Sequence, residues 1–201
     1  MTLDVLLGAA QVSGAVRELS HEVARSVVLV RGSRGSAGSG VVWDRPGLVI
    51  TNAHVVPGAT ASLIFSNGLR ASATVVRRAP ALDLTALAVS DQDVSELAAR
   101  AGDSDALRVG DVLLAVGNPM GERLAPSLGI LASAPDDVLR LAITLRPGNS
   151  GGALSNAQGE IVGIPHMVTG SGLALAVSTR IVRRFLDGAT GEIEADNLLW
   201  I

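Results

Sequence analysis

The sequence predicts an all-β fold of two antiparallel six-stranded β-barrels, with a helix before them and a short helix after. Three observations carry this expectation. Strand-length runs of β-branched and aliphatic residues, bounded by glycine, proline and small polar residues, recur from Ser26 onward. No helix-length segment interrupts the first five of them, which argues against a parallel α/β sheet. A polar, acidic stretch between Ser90 and Arg108 then splits the runs into two sets of roughly six.

Composition is consistent with that architecture. The 201 residues suffice for one large domain or two lobes sharing a core. Apolar residues make up 48% of the chain but aromatics only 2%, so small branched side chains must fill the sheet interiors. The absence of cysteine excludes disulfides and thiolate metal sites. All 16 basic residues are arginine, scattered along a chain of net charge −3, so no nucleic-acid partner is expected.

Residues 1–25 form an amino-terminal extension in which Leu3, Leu6, Leu7 and Ala10, then Val12, Val16, Leu19 and Val23, recur at helical spacing. This predicts an amphipathic helix packed on the domain. Asp4, Gln11 and Arg17 interrupt it and no basic segment opens it, so it reads as neither signal peptide nor membrane span. The chain as it stands is expected to be soluble and cytoplasmic, or periplasmic or secreted if a leader has been removed. The first lobe, 26–95, takes SVVLVRG, SGVVW, GLVIT, ATASLIFS and RASATVVRR as strands, followed by an alternating strand headed by Asp83. A linker, 96–107, follows, with a short helix expected around Val94 to Arg100. The second lobe, 108–178, takes DVLLAVGN, SLGILAS, VLRLAIT, the segment after Ser150, EIVGIPHMV and LALAVS. Residues 179–201 give a helix from Thr179 to Leu186 and an irregular tail.

Three residues stand out chemically. Ser150 lies in Arg146-Pro-Gly-Asn-Ser-Gly-Gly-Ala-Leu154, where Gly148, Gly151 and Gly152 permit positive φ and close approach of a substrate to the backbone. By itself this is equally a β-turn. His54 follows a buried-looking strand and precedes a Pro-Gly turn; alone it reads as a structural histidine, and His21 and His166 compete with it. Asp83 sits between Leu82 and Leu84, where a carboxylate needs hydrogen-bond partners. An imidazole N–H would serve, leaving the other ring nitrogen to take a proton from Ser150. As an isolated residue, Asp83 reads equally as a turn cap.

The order of the three separates two scaffolds. Gly148-x-Ser150-x-Gly152 also fits the nucleophile elbow of α/β-hydrolases, but there acid and histidine follow the serine. Here only His166 follows Ser150, with no aspartate between them. The order His54, Asp83, Ser150 is that of the chymotrypsin-like arrangement.

Five stretches together resemble the protease domain of the HtrA/Deg family of trypsin-like serine proteases. GSGVVWDRPGLVITNAHVV is similar to its histidine block, DLTALAV to its aspartate block and LRVGDVLLAVGNPMG to the approach to its activation loop. PGNSGGAL is similar to its serine block and GEIVGIPHMVTGSGLALAVS to the strands that wall its specificity pocket. The match runs from about Ser26 to Thr179.

The resemblance implies a serine endopeptidase of chymotrypsin-like fold that needs no cofactor or metal and acts on unfolded or damaged polypeptides. Ser150 would be the nucleophile, His54 the base and Asp83 its orienter. The backbone of Gly148, Asn149 and Ser150 would form the oxyanion hole, with the Gly148 and Ser150 N–H groups as donors. Thr144 and Leu145 would form the floor and wall of the substrate pocket and Ala174 its opposite wall, suiting a small or medium aliphatic residue. Asn149 stands where digestive relatives carry an aspartate, so activation is expected without zymogen cleavage, through loop order at Asn118 to Glu122 and Arg146 to Pro147. Arg146 departs from the family's usual asparagine, and His166 is expected at the surface or the pocket rim. No PDZ domain is expected after the protease segment and no aromatic trimerisation contacts are evident, so a monomer or small homo-oligomer is expected. The alternative is a non-proteolytic binding or chaperone-like module whose intact triad is misaligned at rest.

Overall fold

Alternating side chains send successive residues of a strand to opposite faces, and here both faces of the central strands find an apolar surface. The computed structural model describes residues 3–45, 47–90, 92–118, 125–135, 137–168 and 172–188. Helix α1 (Leu3–Arg25) leads into β1 (Val27–Arg31), β2 (Ala37–Val42), β3 (Leu48–Thr51), β4 (Thr60–Ile64), β5 (Arg70–Ala79) and β6 (Leu84–Val89). The second set is β7 (Val112–Gly117), β8 (Ala125–Ser133), β9 (Val138–Ala142), β10 (Ala153–Ser155), β11 (Ile161–Val168) and β12 (Ala174–Ser178), followed by α2 (Thr179–Asp187). Each set closes into an antiparallel barrel, in the orders β1-β2-β3-β6-β5-β4 and β10-β11-β12-β9-β8-β7. The all-β expectation of two six-stranded barrels with a helix at either end holds.

Alternation also explains why there are three cores. Val28, Val30, Val42, Val49 and Leu87 fill the first barrel. Leu113, Ala115, Leu139, Leu154 and Val162 fill the second. Their neighbours in sequence point the other way: Val27, Val41, Ile50 and Ala86 from one lobe meet Leu114, Val116, Ala153, Ile161 and Ile164 from the other. Trp43 and Phe185, the largest fully buried side chains, plug this inter-lobe core. Among the described residues two of the three aromatics thus join the lobes, and Phe65 lies in the first barrel core.

The helices complete that middle layer. Leu19, Val23 and Ala24 bring the carboxyl end of α1 onto it, whereas Val12 stays exposed. Ile181, Val182 and Phe185 do the same for α2, which is capped by the Ser178 side chain and ended by Gly188 at φ 87°.

The linker differs from the expected helix. Between Val94 and Arg100 only Ser95–Leu97 forms a 3-10 turn, and a second such turn lies at Ser104–Ala106. Val94 is drawn into the first barrel core, and beyond it the backbone is held extended, with Ala99 N–H donating to Val42 O at 2.8 Å and Ile161 N–H to Arg100 O at 2.8 Å. Strand-like bonds to both lobes outcompete the local helix. The tail from Gly191 and residues 119–122 lie outside the described residues. Among the described residues no helix is long and apolar enough to cross a membrane.

Candidate active site

The first lobe assembles His54 and Asp83 from two adjacent connections. β3 and β6 are paired, Thr51 opposite Thr85, so the turn after β3 lies beside the residue that enters β6. The Asp83 carbonyl accepts Asn52 Nδ2 at 2.9 Å and Ala53 N–H at 3.1 Å. The carboxylate accepts the His54 N–H at 3.0 Å on Oδ1 and faces His54 Nδ1 at 2.7 Å through Oδ2. A charge-assisted pair this short fixes the tautomer with the proton on Nδ1 and the lone pair on Nε2. Asp83 is buried, and the His54 ring is about half exposed.

Asp83 stands just before β6 and caps the 3-10 turn Pro80–Leu82 with φ 51° and ψ 40°, the turn-cap alternative that the sequence offered. Among the described residues it is the sole non-glycine with positive φ. That conformation costs about 1–2 kcal/mol and persists because the four bonds above and Asp83 N–H to Pro80 O at 3.0 Å over-determine it.

Ser150 comes from the second lobe but is held largely by the first. Asn149 N–H donates to Arg146 O at 3.0 Å, closing a turn whose third residue, Gly148, has φ 100°, the value a type II turn requires there. The Gly148 carbonyl accepts Ser39 Oγ at 2.7 Å, and the Ser150 carbonyl accepts Ser39 N–H at 2.8 Å. Ser39 Oγ in turn accepts the Asn118 N–H at 2.8 Å. Gly151, at φ 81°, lies so close to Ser39 O and Thr51 Oγ1 that a Cβ would collide with both.

These bonds leave a pattern. The N–H groups of Asn149, Gly151 and Gly152 are all engaged, whereas among the described residues those of Gly148 and Ser150 donate to nothing. Asn149 itself is buried, with its Oδ1 lacking a hydrogen-bond partner among the described residues. The Ser150 hydroxyl donates to the His166 carbonyl at 3.3 Å.

His166 corrects the sequence reading most. Far from the surface or a pocket rim, it is 8% exposed, and its Nδ1 lies 3.7 Å from Asp83 Oδ2, the oxygen that meets His54. Burial pushes its pKa below the ordinary imidazole value; Asp83 pulls it back up and His54 pushes it down. His166 therefore links Ser150, through its backbone, to Asp83 and His54. The third histidine, His21, instead lines a groove of about 650 Å³ between α1 and the β7–β8 hairpin, with Val12, Val16, Arg17 and Leu128. None of His54, Asp83 and Ser150 lines that groove.

The expected pocket residues divide by burial. Thr144 is exposed, Leu145 packs half-buried against the second barrel core, and Ala174 is fully buried within that core. Arg146 is exposed beside the turn. Among the described residues no group of three or more His, Cys, Asp or Glu is placed to hold a metal ion. Sequence reasoning missed Ser39 and the inward turn of His166; neither carries a pattern that periodicity could reveal.

Comparison with known proteins now bears on this geometry. The family described as the trypsin-like peptidase domain matches residues 38–164. A probable periplasmic serine endoprotease, DegP-like, of Marinomonas sp. is 34% identical over 176 residues, 83% of this chain and 37% of that protein. A putative serine protease, HhoA, of Synechocystis sp. is 35% identical over 157 residues, 70% of this chain and 40% of that protein. The serine protease Do-like HtrA of Lactobacillus helveticus is 36% identical over 149 residues, 66% of this chain and 36% of that protein. The chain thus spans little more than a third of the length of the curated relatives it matches.

Proposed function

Because the chain belongs to the trypsin-like peptidase family, with DegP- and HtrA-like serine proteases among its relatives, we propose that it is a serine endopeptidase working through Ser150, His54 and Asp83. His54 Nε2 takes the proton from Ser150 Oγ as the oxygen attacks a peptide carbonyl, and returns it to the leaving amine; an acyl-enzyme is then hydrolysed. Asp83 holds the imidazole and stabilises its cation. The Gly148 and Ser150 N–H groups receive the oxyanion, a contribution of about 3–4 kcal/mol per donor.

The observation that carries this reading is the pair of N–H groups, Gly148 and Ser150, that donate to nothing among the described residues while those of Asn149, Gly151 and Gly152 are bonded. Turn geometry at Gly148, held by Ser39, supports a loop competent at rest over a misaligned one. The buried amide of Asn149 supports activation without a newly cleaved amino terminus, since an amide forms no ion pair with one. Substrates are polypeptides, unfolded or damaged ones in particular, cleaved after small or medium aliphatic residues at a pocket bounded by Thr144, Leu145 and Ala174. The Marinomonas relative, described as periplasmic, favours a periplasmic site of action over a cytoplasmic one.

A fluorophosphonate probe tests the reading. Wild-type protein labels at Ser150 and cleaves an unfolded protein, and Ser150→Ala does neither. Failure of the wild type to label, with and without added unfolded protein, would replace the endopeptidase with a binding or chaperone-like module.

A further inference from the structure

The reaction as derived needs one imidazole on Asp83, yet two face it. His54 Nδ1 is 2.7 Å from Oδ2 and His166 Nδ1 is 3.7 Å from the same oxygen. His166 arrives from the second lobe, at a register shift in β11 between Pro165 and Met167 opposite β12. An irregularity of this kind re-aims a side chain that regular pleating would place elsewhere. Pro165 O accepts Gly151 N–H at 2.9 Å and His166 O accepts the Ser150 hydroxyl, so the segment that carries this imidazole also braces the serine loop.

We propose that His166 is a positioning residue for Asp83, a second imidazole that holds Oδ2 from the side opposite the first lobe and draws off part of the charge available to His54. The proposal rests on the endopeptidase reading for its kinetic consequences and on geometry alone for its electrostatic ones. At 3.7 Å the two atoms are within electrostatic reach and short of a hydrogen bond, so a ring N–H turned toward Oδ2 stabilises its charge and lowers its pull on the His54 proton. Protonation of His166 opposes proton uptake on His54 further. Burial depresses the pKa of His166, and His54 acts on it in the same direction.

Other charges around β11 are directed elsewhere. β10 and β12, its partners in the sheet, carry none. On α2, which packs on β11, Arg180 meets Asp137 and Asp105, and Arg183 donates to the carbonyls of Ala101 and Gly102. Arg184 lies in the last turn of that helix and Asp187, also there, pairs with Arg45. Arg146 on the serine loop is exposed. Asp83 and His54 are the titratable groups the first lobe turns toward His166.

Two replacements separate positioning from mere filling of space. The Asn Nδ2 of His166→Asn occupies nearly the place of the imidazole Nδ1, whereas His166→Leu has a similar size and no donor. The Leu variant is expected to lose kcat about tenfold with KM little changed, and to move the acid limb of kcat/KM up by about half a pH unit. The Asn variant is expected to keep kcat within about threefold of wild type and to leave the limb in place. Equal limbs in all three proteins, or losses in Asn and Leu that track melting temperature alone, would overturn the proposal.

A second readout needs no turnover: the His54 titration followed by NMR in the Ser150→Ala background. If it rises in the Leu protein while wild type never labels with the fluorophosphonate, positioning stands and the endopeptidase reading falls. If wild type turns over and the His54 titration ignores residue 166, the reverse holds.

Discussion

The His54–Asp83 pair and the Ser150 loop are built by different means. Both members of the pair come from the first lobe, and the carbonyl and carboxylate of Asp83 gather Asn52, Ala53 and His54 within that lobe. The serine loop belongs to the second lobe, yet its Gly148 and Ser150 carbonyls are fixed by Ser39 of β2 in the first. His54 is therefore set locally and Ser150 is set across an interface. Small changes in how the lobes seat against each other should reach Ser150 directly, and His54 only through the approach of His166 to Asp83.

Breaking the local half should have the larger effect. Asp83→Asn keeps the left-handed conformation, which asparagine tolerates, so the fold should survive with a melting temperature close to wild type. The amide stabilises the wrong imidazole tautomer and no imidazolium, and the probe should label Ser150 about 10⁴-fold more slowly. Slowing of less than tenfold would mean that His54 does not depend on Asp83, and the contrast between the two halves would collapse.

Breaking the interface half should cost less and show a different signature. Ser39→Ala removes the donor to Gly148 O and the acceptor for Asn118 N–H, leaving two groups short of a partner at about 1–3 kcal/mol each. If about half of that loss falls on the oxyanion loop, labelling should slow by about 10–100-fold while the His54 titration stays where it was. A shift of that titration in Ser39→Ala would show that the two halves are not independent.

How much of this was legible in sequence follows from which forces were local. The strands were readable because alternation and turn residues act over a few positions, and β1 to β6 fall within a residue or two of SVVLVRG through LTALAV. His54, Asp83 and Ser150 were readable as residue types in an order. The linker was misread because Val94 and Ala99 answer to distant partners in the first lobe instead of to each other. Ser39 was invisible: a serine in a glycine-rich strand announces nothing until the opposite lobe supplies Gly148. His166 was misplaced because the register shift in β11 that turns it inward is a tertiary feature, and period-two reasoning assumes regular pleating.

The smallest expected effect concerns stability, and it falls where the two halves meet. The folded-state pKa of His166 is depressed by burial, while the unfolded chain titrates near the ordinary imidazole value. Above that value both states hold the ring neutral and pH has no leverage through this residue. As pH falls through it, the unfolded chain gains a proton that the folded one refuses, so stability drops until the folded pKa is reached. His166→Asn has no proton to gain, and His21 and His54 are common to both proteins. Between pH 7 and pH 5.5 the wild type should therefore lose more stability than His166→Asn, read from denaturant midpoints at matched slopes. Parallel curves would mean that His166 is as easily protonated in the fold as out of it, and that the wall between the lobes admits water to Asp83.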